Sequence, residues 1–230
     1  MCELRWGVLI PIVIQFLFTI PAFSQTTEAF PEVNVYANVN SSARFAFEVK
    51  RTRENGELTQ LEFGPSFDFH LKPLLKLKSR TLHDLDRSKK RVLAFSIGFH
   101  RLTLGTSPDV NRAIFQTTFH LPFQGGLLIS NRNRGELNFS NGDLTWRYRN
   151  RTTFERSIEI HSYHLSPYAS AEFYYDSKYH KWSSTALYAG AIFPLGKHFQ
   201  IDPYYEHENN TGGKPNQQIN AFGIITNIHF

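Results

Sequence analysis

Leu144–Glu155 reads LTWRYRNRTTFE, and its alternation decides the fold. Leu144, Trp146, Tyr148 and Phe154 take alternate places, and Thr145, Arg147, Arg149, Arg151 and Glu155 stand between them. Successive side chains of a strand point to opposite faces, so the segment is a strand with one apolar, aromatic face and one charged face. Just before it, Leu127–Phe139 repeats the pattern: Ile129, Leu137 and Phe139 alternate with Ser130, Arg132, Arg134 and Glu136. Ser140-Asn141-Gly142-Asp143 joins the two, and its Asn-Gly pair is a strong hairpin signal.

The same reading extends to both ends. Towards the C-terminus, Phe173 and Tyr175 oppose Glu172 and Tyr174. Leu187, Ala189, Ala191 and Phe193 form an apolar row, and Phe199, Ile201, Pro203 and Tyr205 oppose Gln200, Asp202, Tyr204 and Glu206. In the last strand Phe222, Ile224, Ile228 and Phe230 face away from Gly223, Asn227 and His229. Towards the N-terminus, Leu61, Phe63, Phe67, Phe69 and Leu71 oppose Gln60, Glu62, Asp68 and His70, while Phe45, Phe47 and Val49 oppose Arg44, Glu48 and Lys50. Strands also fit residues 92–102 and 112–121.

A soluble sandwich alternates too. What separates a membrane barrel is aromatic residues gathered at both ends of the outward rows, at the two interfaces. Trp146, Trp182, Tyr175, Tyr205, Phe123, Phe193 and Phe230 all fall near strand ends. Composition agrees: 21 Phe and 10 Tyr accompany a single Met, while mean hydropathy is −0.35. Past position 24 no apolar run is long enough for a spanning helix. In a barrel only alternate residues meet lipid, so a polar average is expected.

The start of the chain reads as a leader. Arg5 precedes an apolar run from Gly7 to Ile20, and Ala22-Phe23-Ser24 supplies small residues for cleavage after Ser24. Pro21 interrupts the run before the roughly 20 residues a spanning helix needs. Cys2, the only cysteine, leaves with it. The mature chain then has no disulfide or cysteine ligand. Export argues against a nucleic-acid partner for the net charge of +5. Anionic lipopolysaccharide is the expected partner instead.

The expected architecture is therefore all-β: an antiparallel up-and-down transmembrane β-barrel in a bacterial outer membrane, after a cleaved signal peptide. Residues 1–24 are the signal, 25–41 an N-terminal segment with a short strand near Val33–Val39, and 42–230 the barrel. Ten strands fit from Ser42 onward, with twelve as the alternative, because an even number returns both termini to one side; Val33–Val39 could add an eleventh, which would break that parity. Tight turns at Pro122–Gly125 and Pro194–Lys197 contrast with longer connections at Asp176–Lys181 and Glu208–Asn216. The basic stretch Lys72–Lys90 is either a hidden strand or a small cap. Phe230 after an alternating strand resembles the terminal signal that the barrel-assembly machinery reads.

A narrower likeness follows. Ser166-Pro167-Tyr168, Glu172-Phe173-Tyr174-Tyr175-Asp176, Trp182, and Leu187-Tyr188-Ala189-Gly190 resemble a bacterial family known as domain of unknown function 2490. Phe193–Lys197, Asp202–Glu206 and the arginine-rich Trp146–Arg151 continue it, so the resemblance covers about residues 127–230. It implies an outer-membrane barrel and carries no catalytic residues.

The polar rows are expected to face the interior. Arg132, Arg134, Glu136, Arg147, Arg149, Arg151, Glu155, Glu172, Asp202 and Glu206 are the candidate pore-lining residues. Such charges either pair to fill a narrow lumen or line a narrow pore whose arginine ladder favours small anionic solutes. The role is then structural or passive transport. A lipid-modifying hydrolase of the outer membrane and a soluble secreted β-protein are the alternatives. For the hydrolase, His161-Ser162-Tyr163-His164 has suitable residue types but falls on the periplasmic side, and His180 and His207 lack a serine set beside them. No cofactor is implied and no metal site is legible: His161 and His164 point to opposite faces of a strand, as do Glu206 and His207. Thr211-Gly212-Gly213-Lys214 lacks the spacing of a phosphate loop.

Overall fold

The computed structural model describes residues 26–54, 57–71, 84–105, 108–161, 163–213 and 216–230. The leader expected over residues 1–24 lies outside them, as does most of the uncertain stretch that begins at Lys72. The strands are β1 (Thr26–Asn38), β2 (Ala43–Glu54), β3 (Glu57–Leu71), β4 (Leu93–Leu104), β5 (Val110–Pro122) and β6 (Leu127–Ser140). They continue with β7 (Asp143–Arg156), β8 (Ile158–Ile160), β9 (Tyr163–Asp176), β10 (Lys181–Leu195), β11 (Phe199–Asn210) and β12 (Gln217–His229).

Each long strand pairs with its neighbours, β7 with β9 and β12 with β1, so the sheet closes on itself. The ring has eleven strands, and the three-residue β8 is an extra hairpin arm on β9. Closure removes the edges that an open sheet exposes, a condition for crossing lipid. The ten strands expected from Ser42 onward are all present. The N-terminal segment supplies the eleventh strand that Val33–Val39 could add: β1, longer than the short strand expected, completes the ring parallel to β12. An odd number places Thr26 and Phe230 at opposite ends, so the expectation of both termini on one side gives way. Seam hydrogen bonds run from Phe230 N–H to Tyr36 O (2.8 Å) and from Asn38 N–H to Phe230 O (3.1 Å).

The turns at Pro122–Gly125 and Pro194–Lys197 fall at the Phe230 end and the connections at Asp176–Lys181 and Glu208–Asn216 at the other, the sides expected. At the end away from Phe230, strands are joined by 55–56, 105–109, 141–142, 177–180 and 211–216, all short. Asn141 (φ 50) and Gly142 (φ 87) both take positive φ, the mirror-image turn that matches strand twist. The longest connection, 72–92, lies at the Phe230 end. Its described part carries a 3-10 turn at Arg87–Lys90 and folds back against the barrel, while residues 72–83, where a further strand would fall, lie outside the described residues.

Burial follows the alternation. Phe45, Phe47, Ile97, Phe99, Phe115, Phe154, Leu187, Phe222 and Ile224 are exposed outside, while Glu62, Asp68, His100, Glu136, Glu172, Asp202 and Glu206 are buried inside. A soluble sandwich has the reverse polarity. Rings gather at the rim away from Phe230: Trp146 stacks on Tyr175 (centroids 5.3 Å apart), and Tyr175 meets Trp182 edge-on (5.8 Å). The exterior departs from apolar character on β6–β7. There Asn131, Asn133, Asn150, Thr152 and Tyr148 hydrogen-bond to one another. Mutual pairing satisfies these polar groups on an otherwise apolar face.

Candidate functional site: the charged lumen

The lumen is a polar cavity of about 600 Å³. The strand period sends Arg132 and Arg134 on β6, and Arg147, Arg149 and Arg151 on β7, to its inner wall. β6 and β7 are paired so that Arg132 faces Arg151 and Arg134 faces Arg149. Such like charges directly opposite are unfavourable unless carboxylates intervene.

Two do. Glu172 on β9 is fully buried, in register with Arg151. It accepts from Arg132 Nη2 (2.9 Å), Arg149 Nε (3.0 Å) and Arg151 Nη2 (2.6 Å). Tyr174 OH donates to the same group (2.9 Å), and Tyr188 OH, whose one proton is shared with Glu206, lies 3.1 Å from it. Arg149 and Arg151 also lie over the rings of Tyr174 and Tyr188, at 4.8 and 3.9 Å. Glu136, equally buried, sits among Arg149 Nη1 (3.0 Å), Arg134 Nε (3.3 Å) and Arg112 Nε (3.6 Å). Arg147 pairs with Asp176 at 2.9 Å, near the aromatic rim. A carboxylate pays for leaving water only when charged donors surround it, and both meet that condition.

All ten candidate residues thus point inward, but into three groups. Arg132, Arg134, Glu136, Arg147, Arg149, Arg151 and Glu172 form the arginine mesh, with Glu136 and Glu172 beneath it. Asp202 and Glu206 stand apart on β11, receiving Tyr168 OH (3.0 Å) and Tyr188 OH (2.8 Å). Glu155, near the Phe230 end, is held by Lys89 Nζ at 2.6 Å.

That last contact belongs to a latch that sequence reasoning missed. Residues 84–92 reach across the mouth at the Phe230 end. Asp86 accepts from Arg44 Nη1 on β2 (2.6 Å) and from Ser88 N–H (2.8 Å). Lys89 bridges Asp84 and Glu155, and Leu85 N–H donates to Gln200 Oε1 on β11 (3.4 Å). Arg44 beside it, with Lys89 and the Ser88 donors, holds the Asp86 carboxyl well below the ordinary range despite its burial. Asp84 and Glu155 push the Lys89 ammonium above its usual range, again against desolvation. The only sequence signal was a length and charge unusual for a turn.

The histidines considered for catalysis are dispersed. His161 (φ 59) and His180 (φ 52) sit in turns at opposite ends, and Ser162 lies outside the described residues. His207 is held by Asn220 Oδ1 at 2.9 Å.

A closed ring, apolar outside and charged inside, defines an outer-membrane-type β-barrel. The chain belongs to the family described as "Protein of unknown function (DUF2490)", whose model matches residues 26–219. Among solved structures it is similar to OmpT (in-vitro folded), an outer membrane protein of Vibrio cholerae, at 11% identity and a TM-score of 0.35. That likeness covers 80% of this chain and 57% of the other, so the chain spans less than two thirds of that protein's length. A search of the curated proteins found no match.

Proposed function

We propose that this chain is an outer-membrane barrel whose lumen is a narrow passage for small polar solutes, latched at the Phe230 end by residues 84–92. The observation that carries the reading is the 600 Å³ cavity lined by charged and hydroxyl groups inside an apolar wall. A purely structural barrel of this width has no need of that space. The leader-like first 24 residues support export. The basic chain suits a lipopolysaccharide surface, and the exposed Phe230, fixed to the β1–β12 seam, suits recognition by the assembly machinery.

The arginine ladder by itself favours anions. In the folded barrel those guanidiniums serve Glu136, Glu172 and Asp176, whereas Glu48, Asp202 and Glu206 face the lumen without an arginine or lysine within ion-pair distance among the described residues. The reading therefore shifts to weak preference for cations.

Conductance of the refolded protein in a planar bilayer, under a salt gradient, tests this. Wild type should give rare, small steps with a cation-side reversal potential, and Asp86→Asn with Lys89→Gln should raise the open fraction. Silence from both, in barrels that remain heat-modifiable, would leave a closed structural barrel.

A further inference from the structure

Away from the arginine mesh, Glu48 faces the lumen from β2 and makes no hydrogen bond or ion pair to another described residue. Its carboxylate has company: ligand atoms of Glu48, Glu62 and His100 all lie within 4.8 Å of one another. The three come from adjacent strands, β2, β3 and β4. Glu48 is in register with Gly64, the residue two beyond Glu62. A Cβ at Gly64 would meet the His100 Cα and ring Cδ2 at 2.6 Å. Glycine at 64 thus lets the imidazole lie down on the sheet, with Nδ1 3.0 Å from Glu62 Oε1.

A second observation comes from β1. Asn34 is the register partner of Glu48 and is more than nine-tenths buried at 7% exposure. Its Nδ2 donates to Glu32 (2.7 Å) and Asn227 (3.1 Å), which fixes the orientation of the amide, and its Oδ1 has no partner. A buried acceptor without a donor thus stands on the strand next to a carboxylate without an ion pair, at the same register position.

We propose that Glu48, Glu62 and His100 form a divalent-cation site in the lumen wall, with Asn34 Oδ1 at its margin. One imidazole with carboxylates suits a borderline ion such as Zn²⁺. Ca²⁺ asks for six to eight oxygens, more than this wall offers. Glu62 also pairs with Arg112 (3.1 Å), but Arg112 has Glu136 at 3.6 Å as a second carboxylate, so Glu62 can turn to an ion without stranding the guanidinium. The site does not depend on whether the lumen conducts.

The test is titration of the purified, refolded protein with Zn²⁺ by calorimetry, with Co²⁺ absorption as a spectroscopic report of coordination. One ion per barrel is expected. Glu48→Gln and His100→Gln should each weaken binding at least tenfold, while His207→Gln should leave it unchanged. Glu48→Gln carries the argument if His100→Gln misfolds, because Glu48 makes no contact that folding needs. Absence of saturable binding in wild type, or equal affinity in wild type and Glu48→Gln, overturns the site.

Discussion

Glu172→Gln is the substitution that most directly probes what holds this barrel together. It preserves volume and one carbonyl oxygen, and it removes the charge that Arg132, Arg149 and Arg151 share. Five guanidinium N–H contacts reach the two carboxylate oxygens, two from Arg149, two from Arg151 and one from Arg132. Three of them end on Oε2. In glutamine one oxygen becomes an amide nitrogen that cannot accept. If Oε2 is the atom replaced, those three contacts become donor facing donor, and the hydroxyls of Tyr174 and Tyr188 must turn. Each charge-assisted bond is worth about 1.5–3 kcal/mol net, but the arginines are partly exposed and relax towards the cavity. Removing one partner of a buried pair costs about 3–5 kcal/mol, and the lower half of that range is expected here. Urea unfolding of the refolded protein, followed by tryptophan fluorescence and by heat-modifiability on gels, measures it. Glu172→Gln with Arg151→Gln should cost clearly less than the two singles summed, because they share one interaction. A loss under about 1 kcal/mol for Glu172→Gln, or strict additivity, would refute the view that the mesh is organised around this carboxylate.

Three further outcomes are expected. Asp86 is depressed and Lys89 raised, so the latch is complete between the unfolded-state values, from about pH 4 to about pH 10. It weakens as pH falls through the folded value of Asp86 or rises through that of Lys89. Conductance should rise in acid, and Asp86→Asn should abolish that rise while raising the open fraction at neutral pH; an identical acid response in the variant counts against the latch. Gly223 lies under the Tyr204 ring, which a Cβ there would strike. Gly223→Ala should therefore destabilise by about 1–3 kcal/mol as overpacking, read as a lowered urea midpoint, and an unchanged midpoint would show that the ring moves freely. On the exterior, Asn150→Leu removes three weak amide contacts but gains a lipid-facing apolar group. Its stability in lipid vesicles should change by less than about 1 kcal/mol, since such bonds average well below that in membranes. A large loss would mean that the amide cluster is structural.

Alternation alone determined much of this protein. Period two is a property of the strand backbone, so Arg147, Arg149 and Arg151 had to share a face whatever lay around them, and Leu144, Trp146 and Phe154 had to share the other. Ten strands, the inward direction of the candidate charges and the Asn141–Gly142 turn followed from short-range rules. The direction of a side chain does not name its partner. That Glu172 rather than Asp202 neutralises the arginines depends on the β7–β9 register, which skips β8 and could not be read from either strand. The parallel seam of β1 with β12 joins the two ends of the sequence. The latch depends on where Asp86 and Lys89 meet Arg44 and Glu155, some forty and sixty-six positions away. Glu48, Glu62 and His100 are likewise separated in sequence, and the register of β2, β3 and β4 with a bare Gly64 brings them within reach. Local sequence sets which way each residue faces, because that is fixed by covalent geometry. Only the tertiary structure decides which charges meet, because that is settled by strand register around a closed ring.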